Sequence, residues 1–201
     1  MRIRGLFGIA VIALLSGSAG SAVAATPEAQ PTKPAIDVQA IALDEIAAID
    51  ALGYPTEIAT WDFQDDYTNS AGGTATTWQN DDGTSRVQVS TDPAAYEQFG
   101  PDVQASVRST VRHELGHVWT FWLFPQGAEE PLSRICLSVS ERSIESGYPA
   151  NECAAEATSQ ILTEQLGDTR TAFYGLTLSD ASIEGMRPIV DGALTWQIPG
   201  S

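Results

Sequence analysis

Apolar residues recur every three or four positions between residues 103 and 122, which is the period of an α-helix. This stripe consists of Val103, Val107, Val111, Leu115, Val118 and Trp122. Pro125 and Gly127 follow the stripe and predict the end of the helix. The opposite side of the same helix carries polar residues, namely Ser106, Thr110, His113, His117 and Thr120. Both imidazoles are therefore expected to lie together, away from the apolar stripe.

Two more helices are predicted on either side of this one. Aliphatic residues at positions 41, 46, 49 and 52 have helical spacing, and Gly53 with Pro55 gives a stop signal, so a helix is expected near 38–52. Another helix is expected from about 151 to 166, ended by Gly167. The tail after Asp168 shows no pattern that assigns an element.

Between residues 57 and 91 the segments EIATWDF, TATTWQ and SRVQVS are rich in β-branched and aromatic residues and predict strands. The sequence Asn80-Asp81-Asp82-Gly83 separates the last two and predicts a hairpin turn. Asp65-Asp66 and this turn lack the ligand spacing of an EF-hand, so we interpret their aspartates as turn residues and not as a calcium site.

The N-terminus has the pattern of a secretory signal peptide. Arg2 and Arg4 precede the apolar run LFGIAVIALL, and small residues follow up to residue 25. We expect residues 1–25 to be a cleaved signal, although a retained anchor is the alternative. Residues 26–35, TPEAQPTKPA, are expected to be a linker or short propeptide. Residues 36–201 are then expected to form a single domain of a secreted protein.

Charge and cysteine content narrow the possible partners. The net charge is −16, and loss of Arg2 and Arg4 with the signal would make the mature form more acidic. Nucleic acid and anionic membranes are therefore unfavourable partners, since binding them rests on Lys and Arg contacts. In an exported protein the two cysteines, Cys136 and Cys153, are expected to form a disulfide. The alternative is that these cysteines are soft ligands of a metal ion.

The stretch His113-Glu114-Leu115-Gly116-His117 contains every histidine of the chain. Residues four apart lie on one face of a helix, so both imidazoles can bind one metal ion, and Glu114 can act as a base beside it. Such a pair can also be an ordinary surface feature, but the glutamate inside it makes chance a poor explanation.

A catalytic metal needs a third protein ligand, and no histidine remains for it. The candidates are Glu152 and Glu156, again four apart, on the predicted helix that begins near 151. One can coordinate the metal, and the other can accept the ring N–H of a ligand histidine. The sequence leaves open which glutamate takes which role.

The H-E-x-x-H motif followed by Asn151-Glu152 and Glu156 resembles the thermolysin-like gluzincins, over roughly Arg112 to Leu162. The resemblance implies a zincin-like α+β fold, with a small antiparallel or mixed sheet packed on an active-site helix and a second ligand-bearing helix. It implies Zn²⁺ as cofactor and peptides or proteins as substrates. By position it implies the following roles: His113, His117 and Glu152 as ligands, Glu114 as general base and Glu156 as support for a ligand histidine.

In that family a further histidine stabilises the oxyanion, and this chain has none left. Tyr148 is the first candidate to replace it, with Arg170 and Tyr174 as others, because a phenol or a guanidinium can donate to a developing negative charge. The resemblance also suggests SRVQVS as an edge strand that binds peptide. The expected function is a secreted zinc metallopeptidase. A secreted, non-catalytic binding protein on the same scaffold is the alternative.

Overall fold

The computed structural model describes residues 35–65, 73–123, 132, 134–135, 150–169 and 178–195. These residues form an α+β structure of helices and a small mixed sheet. No helix among them is long and apolar enough to cross a membrane. The predicted signal peptide, residues 1–25, lies outside the described residues. The predicted linker, residues 26–35, lies outside them except for residue 35, so both stay predictions.

The sheet has three strands, β1 (Ala59–Gln64), β2 (Ala75–Gln79) and β3 (Ser85–Ser90), in the order β1-β3-β2. β3 is parallel to β1 and antiparallel to β2. The predicted hairpin between β2 and β3 is confirmed, because Asn80 and Thr84 close the turn and Gly83 adopts a φ of 85°.

The expectation that SRVQVS forms an edge strand is wrong. This segment is β3, the central strand, with a neighbour on each side. Alternation of polar and apolar residues indicates only that one face of a strand is buried, and edge strands and central strands both show it. Val87 and Val89 make up the buried face of β3, in register with Trp61 and Phe63 of β1. The edge strand that contacts the H-E-x-x-H helix is β2.

Four α-helices are described: α1 (Val38–Ala51), α2 (Val103–Leu123), α3 (Ala150–Gln165) and α4 (Asp180–Ala193). The first three match the predicted helices to within a residue or two. α4 was not predicted, and neither was the 3₁₀ helix Pro93–Phe99. Short polar side chains begin the helices in the usual way: Asp37 accepts from the N–H of Ala40, and Asp102 accepts from that of Ala105.

Both sides of α2 are buried, including the side that carries its polar residues. The helix packs against α3, α1, β2 and the 3₁₀ helix. Its polar side chains therefore need partners inside the protein, because a buried polar group without a hydrogen bond destabilises the fold. These partners come from α1, from α3 and from β2, and they determine the geometry described below.

Arg112, only 1% exposed, joins three parts of this core. Its guanidinium donates to Glu45 of α1 at 2.6 Å, to Thr163 of α3 at 2.8 Å and to Asp168, just after α3, at 2.8 Å. Charged, buried hydrogen bonds of this kind have strict geometry. Arg112 therefore fixes the positions of α1 and α3 relative to α2, one residue before His113.

Candidate metal centre

The two imidazoles of α2 and one carboxylate of α3 converge on one point. His113 and His117 lie one helical turn apart, with ring centroids 4.9 Å from each other. Glu152, in the first turn of α3, places Oε2 3.2 Å from Nε2 of His113 and Oε1 3.4 Å from Nε2 of His117. One ligand atom from each residue lies within 4.8 Å of the others. This group of two nitrogens and one oxygen can bind a metal ion.

Glu156 lies behind His113, on the far side of the ring from Glu152. Its Oε2 is 3.5 Å from Nδ1 of His113, and its Oε1 accepts from Nε2 of Gln160 at 3.2 Å. The carboxylate is completely buried. A carboxylate next to Nδ1 favours the tautomer that carries its proton on Nδ1, which leaves the Nε2 lone pair for a metal. The two glutamates therefore face different nitrogens of His113.

The charges of this cluster shift the pKa values of its members. Burial lowers the pKa of His113, but the contacts with Glu152 and Glu156 outweigh burial and raise this pKa to about 9. Burial raises the pKa of Glu152, but hydrogen bonds with the two imidazoles hold it well below its usual range. The carboxylates around His113 thus favour a positive charge on its imidazole.

At Gly116, inside the H-E-x-x-H motif, α2 passes very close to the backbone of α3. A Cβ atom at this position would lie 2.6 Å from Cα and 3.0 Å from the carbonyl oxygen of Ala155. Real Cβ atoms do not come so close to backbone, so only glycine permits this crossing. Glu152 lies three residues before Ala155 on the same side of α3. The close crossing therefore brings the carboxylate to the imidazoles.

Glu114, 3% exposed, does not belong to the ligand group but lies beside it. It follows His113 directly in α2, and its charge helps to raise the pKa of His113. Oε2 of Glu114 accepts a hydrogen bond from the hydroxyl of Thr77 in β2 at 2.6 Å. The edge strand thus contacts the carboxylate that the sequence predicts to be the base.

Several predicted residues lie outside the described part of the chain. These are Tyr148, Arg170 and Tyr174, the candidates for oxyanion stabilisation, and Cys136, one half of the predicted disulfide. Cys153 is described and is buried in the first turn of α3, directly after Glu152. The disulfide and the oxyanion donor stay predictions.

Three residues with clear roles in this geometry were not singled out from the sequence: Thr77, Gly116 and Arg112. Gly116 gave a signal, since a glycine in a helix interior costs about 1 kcal/mol relative to alanine and often marks a close approach. Arg112 also gave a sequence signal, because an arginine buried next to an apolar stripe needs acidic partners to compensate its charge. Thr77 gave none, since threonine is ordinary in a strand.

A scan against protein-family models finds no match for this chain, and searches of curated proteins and of solved structures find none either. The site must therefore be interpreted from its own chemistry. Two imidazoles and a carboxylate form a borderline donor set that suits zinc and related divalent ions. In known metal sites a carboxylate often accepts from the second ring nitrogen of a histidine ligand, and Glu156 lies at that nitrogen of His113.

Proposed function

We propose that the protein is a secreted zinc metallopeptidase with a zincin-like arrangement, in which His113, His117 and Glu152 hold the metal. The observation that carries this proposal is the convergence of these three residues, with Glu114 between the two histidines in the sequence of α2 but outside the ligand group. Three protein ligands leave a coordination position for water or substrate, which distinguishes catalytic zinc sites from structural ones with four.

When bound, zinc lowers the pKa of its water ligand to roughly 7 and polarises a substrate carbonyl. Glu114 would accept a proton from the attacking water as the water oxygen bonds to the carbonyl carbon, and it would return that proton to the amine nitrogen as the C–N bond breaks. Glu156 holds the ring of His113 and keeps its proton on Nδ1. The burial of Glu114 and of His113 limits the access of bulk water, which strengthens each of these polar contacts.

The experiment compares Glu114→Gln with wild type in hydrolysis of fluorescein-labelled casein, with and without a chelator. The variant is expected to keep its zinc and to lose hydrolysis by about 100- to 10,000-fold, as expected for removal of a general base. Glu97→Gln, at an exposed glutamate of the 3₁₀ helix, is the matched control and is expected to keep full activity. Chelator-sensitive hydrolysis that survives in Glu114→Gln would disprove the role of Glu114.

A second candidate is a secreted binding protein that keeps the metal site without turnover. The observation that favours it is the histidine count: both histidines of the chain belong to the ligand group, so no imidazole remains to stabilise an oxyanion. Zinc binding by the wild type without any chelator-sensitive hydrolysis would support this candidate over the peptidase.

A further inference from the structure

Among the described residues, Thr77 makes the shortest side-chain hydrogen bond between the sheet and the H-E-x-x-H helix. Its hydroxyl donates to Oε2 of Glu114 at 2.6 Å, and Oγ1 of Thr77 also lies 3.5 Å from the backbone carbonyl oxygen of Glu114. The acceptor is a carboxylate, and hydrogen bonds to charged acceptors are roughly twice as strong as those between neutral groups. The contact therefore holds one oxygen of this side chain in a fixed place.

Two features fix the position of Thr77 itself. Thr77 is in register with Val87 of the central strand, which places both side chains on the face of the sheet that packs against the core. Two residues further along β2, the side-chain amide of Gln79 donates to the carbonyl oxygen of Phe121 in α2 at 3.0 Å. β2 is thus tied to α2 at both points, and the hydroxyl of Thr77 cannot easily move away from Glu114.

Glu114 needs such a contact if it acts as a base. A glutamate has three side-chain torsions, and a proton acceptor must keep one oxygen within hydrogen-bond reach of the water it deprotonates. Fixing Oε2 on Thr77 restricts the carboxylate and so restricts where Oε1 can lie. Among the described residues, the hydroxyl of Thr77 donates a hydrogen bond to this carboxylate and so restricts its orientation.

We propose that Thr77 is a positioning residue for Glu114, and that its hydroxyl orients the carboxylate for proton transfer. The inference rests on the proposed peptidase function and adds a residue of β2 to that site. A purely structural role, in which Thr77 only attaches the strand to the helix, makes a different prediction: its loss would lower the stability and leave turnover per folded molecule unchanged.

The experiment measures kcat and KM for a quenched fluorescent casein, zinc content and thermal unfolding for Thr77→Val, Thr77→Ser and wild type. Thr77→Val keeps the shape of the side chain and removes the donor. Its kcat is expected to fall by about tenfold or more, the loss that corresponds to one hydrogen bond to a charged group. KM is expected to stay within about twofold, because the contact does not involve substrate. Zinc content is expected to be unchanged.

Thr77→Ser keeps a hydroxyl at this position and, unlike Thr77→Val, is expected to retain most of the wild-type kcat. Thr60→Val, at an exposed threonine of the other edge strand, β1, is the matched control and is expected to match wild type. Wild-type kcat in Thr77→Val, or failure of Thr77→Ser to recover it, overturns this inference alone. A wild-type protein without chelator-sensitive hydrolysis overturns the proposed function, and this inference falls with it.

Discussion

Replacement of Gly116 by alanine tests whether the close crossing of α2 and α3 forms the metal centre. The new Cβ would lie 2.6 Å from Cα and 3.0 Å from the carbonyl oxygen of Ala155, and 3.0 Å from Cβ of Thr158. Two of these three atoms are backbone, so no rotation of a side chain relieves the clash. α3 has to move away from α2, and Glu152 has to move with it.

The expected magnitude follows from two opposing effects. In an ordinary helix interior, alanine is more stable than glycine by about 1 kcal/mol. Overpacking of a tight core costs about 1–3 kcal/mol, and a clash with backbone belongs at the upper end of this range. The net expectation is a loss of about 1–2 kcal/mol, which lowers the Tm of a chain of this size by roughly 2–8 °C. Zinc affinity is expected to fall by about tenfold or more, as it does when a ligand loses its proper orientation.

The assays are thermal unfolding of the zinc-free protein and titration with zinc against a competing chelator. Gly185→Ala in α4 is the matched control, because its Cβ would meet a side-chain methyl of Ile135 at 2.9 Å, while the carbonyl oxygen of Ile135 lies at 3.9 Å, an ordinary van der Waals distance. That variant is expected to lose less stability and to keep its zinc affinity. If Gly116→Ala is as stable as wild type and binds zinc equally well, the crossing does not position Glu152 and the reasoning is refuted.

Three further predictions concern the groups around the site. Arg112→Met removes one partner of a buried ion network and is expected to destabilise the protein by about 3–5 kcal/mol in urea unfolding. Arg108→Met, at a half-exposed arginine 3.8 Å from Glu45, is the control and is expected to cost less than about 1 kcal/mol. Equal losses in the two variants would contradict the network. The raised pKa of His113 stabilises the zinc-free protein fully below about pH 6.5, and this stabilisation is lost as the pH rises through about 9. Over that pH range the Tm of the zinc-free protein is therefore expected to fall and the zinc affinity to rise. If neither the Tm nor the zinc affinity changes with pH, His113 is not protonated in this range. Glu156→Gln is expected to weaken zinc binding by about 10- to 100-fold in a chelator competition, and an unchanged affinity would show that Glu156 does not support His113.

Local periodicity was enough to predict α1, α2 and α3, because each has a clear apolar spacing and a glycine or proline stop. It was also enough to place His113 and His117 on one face. The pattern could not predict α4, whose segment after Asp168 mixes polar, small and apolar residues, including Pro188 within the helix. It could not identify β3 as the central strand either, since pairing with β1 depends on residues far apart in the chain.

The site shows the same division between local and long-range information. The spacing of Glu152 and Glu156 predicted two carboxylates on one face of a helix but left their roles open. Their roles depend on the crossing at Gly116, which puts Glu152 at Nε2 and Glu156 at Nδ1 of His113. The hydrogen bond from Thr77 to Glu114 joins residues in a strand and a helix, and no local pattern reports it.

The most direct test of the central claim is the zinc content and affinity of the purified protein, compared with those of Glu152→Ala. Glu164→Ala, at an exposed glutamate of the same helix, is the matched control. Stoichiometric zinc in the wild type and in Glu164→Ala, with zinc lost or greatly weakened in Glu152→Ala, is the predicted result. Full retention of zinc by Glu152→Ala, or a wild-type protein that binds no zinc, would contradict the account.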